Sequence, residues 1–194
     1  MKHAKLILIL LLTLLPLSVL APDSLEKHDP FDLLHEMRQH LIRNDKAAYR
    51  ENYIPFKRAL AQLESSNDWT RFNVYGYIGK YQFGQDALEA TGFGHVNFET
   101  FIQDPGTFSE REQEQAMDRL LKLNEQVLRT YIHRYVGHKV LDSITITRSG
   151  LLAAAHLAGP GNVKRFLESE GTFNPKDRMG TRLSDYLSGF ASVN

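Results

Sequence analysis

A mainly α architecture is what this 194-residue sequence predicts, on three observations. Apolar residues recur every three or four positions over most of the chain, the pattern of helices that bury one face. Residues 151–158 are apolar nearly all round, which reads as a helix at the centre of a core. Only residues 71–83 mix aromatics with glycines and fit an irregular loop or small hairpin better than a helix.

The elements follow in order. Met1-Lys2-His3-Ala4-Lys5 is a basic start, and residues 6–20 are apolar apart from Thr13, Pro16 and Ser18. This is the layout of a secretory signal peptide, expected to end at Ala21. The run is shorter than the ~20 residues of a membrane span. Pro22 is a poor neighbour for cleavage and keeps a short uncleaved anchor as the alternative. No cysteine follows, which argues against a lipid anchor. Residues 22–30 read as a polar tether and residues 31–194 as one domain.

Within that domain Phe31, Leu34, Met37 and Leu41 mark an amphipathic helix. Phe56, Leu60 and Leu63 mark a second, beginning after Pro55. Residues 109–136 open with Ser109 and Glu112, the spacing of a capping box. Ala116, Met117, Leu120, Leu121, Val127, Leu128, Tyr131 and Tyr135 then line one face. Gly159-Pro160-Gly161 stops the central helix, helix resumes over residues 163–167, and Leu183, Tyr186, Leu187 and Phe190 make a last short one.

Composition excludes several function classes. Lys and Arg number 23 against 23 Asp and Glu, so nothing electrostatic favours nucleic acid. The absence of cysteine rules out a disulfide scaffold, a thiolate zinc site and a cysteine nucleophile. His35 and His40, like His133 and His138, are five apart, whereas a helical zinc pair needs four. Gly79-Lys80-Tyr81 lacks the Ser or Thr of a phosphate loop. Ser65 and Ser66 lack the glycine-flanked elbow of a serine hydrolase. No metal and no cofactor is expected.

Glu64 carries the chemistry. It continues the stripe of Phe56 and Leu60 at four-residue steps. A carboxyl on a buried stripe is either paired with a cation or held away from water, where the protonated form is favoured. A protonated carboxylic acid is what glycoside cleavage needs as its general acid. The plainer alternative is a helix end at which Glu64 reaches solvent beside Ser65, Ser66 and Asn67.

After Glu64-Ser65 come Trp69, then Gly76-Tyr77-Ile78-Gly79-Lys80-Tyr81-Gln82-Phe83, and much later Ala154-Ala155-His156-Leu157-Ala158-Gly159-Pro160-Gly161. This order and spacing resembles the lysozyme-like lytic transglycosylases. Trp69 and the segment from Gly76 to Phe83 look most like the resuscitation-promoting-factor branch, and Ala154 to Gly161 looks like the corresponding segment of soluble lytic transglycosylases. Thr181 and Tyr186 stand where that family often has a Thr and a Tyr. The resemblance spans about residues 56–190.

It implies a lysozyme-like helical domain, peptidoglycan glycan strands as substrate, and an exported enzyme in the periplasm or at the cell wall, with partner machinery unidentified. It also implies Glu64 as the catalytic acid and then base. Gln82 would hydrogen-bond the glycan, Gly76 and Gly79 would admit it to the backbone, and Trp69, Tyr77 and Tyr81 would offer faces to sugar rings, unless they serve as core. Ser65 belongs to the same motif. His156 and Leu157 replace the family's Tyr and Asn, which leaves support of Glu64 to His156 or Tyr186. Two other functions stay open. A hydrolytic muramidase would need a second carboxylate, from Asp68, Asp86 or Asp177. A non-catalytic wall-binding or secretion-accessory protein would keep only the cleft.

Overall fold

The computed structural model describes residues 53–141 and 143–193, together with His35, Arg38 and Gln39. The export segment, the tether and most of the helix expected from Phe31 lie outside the described residues; His35, Arg38 and Gln39 are helical. Residues 53–194 form one compact unit, and it is mainly helical. Among the described residues no helix is long and apolar enough to cross a membrane.

The described part of α1 covers residues 53–65, so the helix already includes Tyr53 and Ile54 instead of beginning after Pro55. Phe56, Leu60 and Ala61 are buried, but Leu63 is 59% exposed and does not belong to the stripe. The buried face runs instead through Lys57, Leu60, Ala61 and Glu64, a rotation that carries Leu63 off its edge. Ser66 and Asn67, both in the left-handed region at φ 59° and 65°, end the helix one residue after Ser65.

The chain between the loop and the long helix carries structure that the periodicity does not announce. It contains α2 (Gln85–Ala90), α3 (Phe98–Gln103) and a 3-10 turn at Pro105–Phe108. Leu88, Phe93, Val96, Phe101 and Phe108 pin these short pieces to the core.

The longest helix, α4 (Glu110–Tyr135), opens with the expected capping box: Ser109 accepts from the Glu112 backbone and Glu112 from the Ser109 backbone. Ala116, Met117, Leu120, Leu121 and Leu128 are buried as expected. Val127 is exposed, whereas Gln113 and Asn124 take buried positions on that face. A two-residue antiparallel ladder, β1 (Lys139–Val140) with β2 (Ile144–Thr145), connects α4 to α5 (Arg148–Ala158).

The central position expected for α5 is borne out, since Gly150 to Ala155 are all buried and it packs against α4, α6 (Pro160–Glu168) and α7 (Leu183–Gly189). A Cβ at Gly150 would lie 2.7 Å from the Leu187 carbonyl oxygen, so α7 crosses α5 at backbone distance. Gly159, at φ +79°, breaks the path between α5 and α6, and Pro160 starts the new helix.

Two polar clusters tie α1 down. The Tyr53 hydroxyl donates to Glu125, and Arg148 Nε donates to Glu125 Oε1 (2.6 Å), joining α1, α4 and α5. Arg148 also lies over the Tyr53 ring, 4.9 Å from its centroid. Burial, then the Glu125 bond, push the Tyr53 phenol up to about 12. Farther along, Lys57 Nζ sits 2.8 Å from Glu114 and 2.6 Å from Asp118. Glu114 also pairs with Lys80 (3.0 Å) and accepts from the Tyr81 hydroxyl (2.8 Å).

Candidate active site

Glu64 occupies the last turn of α1, and its side chain is only 9% exposed. The Tyr186 hydroxyl donates to Glu64 Oε1 at 2.7 Å. Burial, then the charge and hydrogen bond of Glu64, push the Tyr186 phenol well above its ordinary range, so it acts only as a donor near neutral pH. His156 approaches the same oxygen. Its side chain is 6% exposed, with Nε2 3.8 Å from Glu64 Oε1, beyond hydrogen-bond length. That nitrogen bonds instead to the Tyr81 carbonyl at 2.9 Å, which gives Nε2 the proton. His156 is thus a neighbour of Glu64 bonded to a carbonyl through Nε2, while its buried Nδ1 has no hydrogen-bond partner.

The loop over residues 71–83 is a compact knot rather than a regular hairpin, with single bridges Phe72–Ile78 and Ile78–Phe83. Asn73 Oδ1 accepts from the backbone of Tyr75 (2.9 Å) and Tyr77 (3.3 Å), and its amide donates to Gln82 Oε1 (3.0 Å). Gln82, at φ 49°, donates back to the Gly79 carbonyl at 2.9 Å. Gln113 on α4 locks the loop from beneath. Its amide donates to the carbonyls of Trp69 and Phe108, each at 2.8 Å, and its oxygen accepts from Lys80 N at 2.6 Å.

Glu64, Asn73, Tyr77, Gln82, His156 and Leu157 line a small cavity of about 50 Å³ together with Asp177, Arg178 and Met179. Tyr77, Gln82, His156, Leu157 and Arg178 also border a groove of about 840 Å³ that runs between α2, α4 and the α5–α6 turn. That volume lies within the range of roughly 300–1,000 Å³ usual for ligand pockets.

Glu64, Gln82 and His156 therefore share one cavity, Gly76 lines the groove, and Tyr186 holds Glu64 from the protein side. Four other expected residues have different positions. Tyr81 is buried and bonded to Glu114, so it offers no face to a sugar. Gly79 is buried too, and a Cβ there would meet Gln113 Oε1 at 2.5 Å; its small size serves the Gln113 contact. The Ser65 hydroxyl donates to the Lys80 carbonyl at 2.8 Å and pins the helix end to the loop. Trp69 lines neither cavity, and its carbonyl is a Gln113 partner.

Of the three aspartates, Asp177 lines the Glu64 cavity while its Oδ1 accepts from the backbone of Met179 (2.9 Å) and Thr181 (2.7 Å). Asp86 borders the groove, and Asp68 is exposed and caps Thr70. Asn73, Arg178 and Gln113 belong to the site without any signal in the spacing. Asn73 two residues before Tyr75 is the one that turn chemistry could have found, as an Asx turn. Among the described residues no three His, Asp or Glu side chains are grouped so as to hold a metal ion. Comparison with known proteins adds no relative: no family model, no curated protein and no solved structure matches this chain.

Proposed function

We propose that this chain is an exported lytic transglycosylase of lysozyme-like architecture that cleaves the glycan strands of peptidoglycan. The observation that carries the reading is the Tyr186–Glu64 hydrogen bond beside a cavity that shares Tyr77, Gln82 and His156 with a larger groove. A carboxyl held at one oxygen by a phenol has its other oxygen left to handle a proton. The motif order from Glu64 through Gln82 to Gly161 supports the same reading.

In this mechanism Glu64 enters protonated and donates to the oxygen that links N-acetylmuramic acid to N-acetylglucosamine. The bond from that oxygen to the anomeric carbon breaks, and the muramic 6-hydroxyl attacks the same carbon. Its proton passes to the Glu64 carboxylate, the 1,6-anhydro ring closes, and no water is consumed. Tyr186 steadies the carboxylate between the two transfers. Gln82 and Asn73, already cross-bonded, present a polar wall to the ring.

One observation favours a second reading, a hydrolytic muramidase. Asp177 lines the cavity of Glu64, as a second carboxylate must.

Digestion of purified sacculi with the full chain, analysed by mass spectrometry, tests both. Products lighter by one water than hydrolytic muropeptides support the transglycosylase. Hydrated products reassign the chain to the muramidase reading and to Asp177. No released products would overturn both and leave a wall-binding or secretion-accessory role.

A further inference from the structure

We propose that Asn124 recognises the acetamido group of a sugar bound in the groove beyond Glu64, an inference that rests on the glycan reading. Asn124 lies on the buried face of α4 between Leu120 and Leu128 and is 3% exposed. Its Nδ2 is buried and has no hydrogen-bond partner. Gln113, on the same face, has both ends of its amide bonded within the protein. An unpaired amide at the Asn124 position weakens the fold, and an apolar side chain there would not.

The residue borders the large groove, whose wall on this side is apolar: Leu120, Leu123 and Val127 from α4, with Ala87 and Ala90 across from them. Because the groove shares Tyr77, Gln82 and His156 with the Glu64 cavity, a polymer of sugars seated at Glu64 continues into it. A sugar bearing only hydroxyls can set a C–H ring face against leucine and valine but brings no amide to pair with Asn124. An acetamido group has a methyl for that wall and a planar amide for Asn124. The terminal torsion of asparagine is soft, so a turn about it brings the N–H toward the groove. The pairing then satisfies the amide that the folded chain leaves unpaired.

The test is titration calorimetry on the full chain with two neutral β-1,4-linked tetramers, one of N-acetylglucosamine and one of glucose. The wild type should prefer the acetylated tetramer by at least ~10-fold, the scale of one to two well-made hydrogen bonds. Asn124→Leu should lose that preference, bind the glucose tetramer as the wild type does, and melt at a higher temperature. Asn124→Ala, free of any packing conflict, should lose the preference too. A purely structural asparagine would lower stability when replaced by leucine and leave the preference alone. Retention of the preference in both variants overturns the proposal, while release of muropeptides by the wild type keeps the glycan reading standing. If the wild type binds neither tetramer and releases nothing from sacculi, both fall.

Discussion

The Tyr186 hydroxyl reaches Glu64 across 122 residues of sequence and donates to its Oε1 at 2.7 Å. Two helices meet there end to side: the last turn of α1 carries the carboxyl, and α7 carries the phenol on the face that stacks Tyr186 on Phe190, with centroids 5.8 Å apart. The geometry gives the carboxyl one fixed oxygen in a place where water has little access.

Tyr186→Phe removes the hydroxyl and keeps the stack. The turnover number should fall, on the order of tenfold, with little change in KM, since one hydrogen bond to the reacting group is lost. Kinetics on soluble glycan fragments give the split. A change in KM alone would mean that Tyr186 contacts the glycan rather than Glu64.

Glu64→Gln keeps size and one acceptor but cannot deliver a proton. Muropeptide release should drop by at least ~10²-fold, while the circular dichroism spectrum and glycan binding survive. Near-normal release would remove Glu64 from the mechanism.

Gly76→Ala and Gly79→Ala separate two kinds of glycine. Both sit at positive φ, 86° and 77°, so each alanine carries backbone strain of roughly 1 kcal/mol. Around Gly76 there is open space, whereas at Gly79 the new Cβ meets Gln113 Oε1 at 2.5 Å. Urea titration should therefore show the larger loss for Gly79→Ala. Equal losses would mean that Gln113 moves aside without cost.

The Glu114 cluster sets a pH dependence of stability. Burial alone would raise the Glu114 carboxyl, but hydrogen bonds from Lys57, Tyr81 and Lys80 outweigh it and hold it below its ordinary value. Its stabilisation is complete above the ordinary carboxyl value and is lost as pH falls through the lower folded one. Lys80 behaves in the opposite sense. Burial opposes its charge, yet Glu114 and Glu110 raise it, so its stabilisation is complete below the ordinary lysine value and lost at higher pH. Thermal melts of the wild type should drop more steeply than those of Glu114→Gln as pH falls below ~4.5. Parallel curves would exclude Glu114 as a source of acid sensitivity.

Much of this architecture is legible in the sequence, because long helices advertise themselves by period. The capping box at Ser109, the apolar stretch Leu151–Ala155 of α5 and the glycine break at Gly159 each follow from local chemistry. What escaped depends on partners far away in the chain. Lys57 is buried because Glu114 and Asp118 wait for it, and that rotation of α1 is what exposes Leu63. Gln113 reads as one more polar residue in an acidic helix start, yet it is fully buried and holds three backbone groups. Tyr81 and Gly79 were expected at the glycan because their spacing matches a motif; a motif gives the loop's path, not the side from which each residue is seen. The short helices between residues 85 and 108 are held by scattered aromatics, too few in each to set a period.

The cluster of Tyr53, Glu125 and Arg148 has a mechanical meaning. It clamps Tyr53 of α1 to α4 and α5. Force applied to the backbone at Tyr53 acts on this clamp, where it must shear an ion pair and a ring contact together. Glu64 lies at the opposite end of the same helix, roughly 17 Å further along its axis. A pull applied at Tyr53 is therefore resisted by the clamp, and the carboxyl farther along α1 keeps its register with Tyr186.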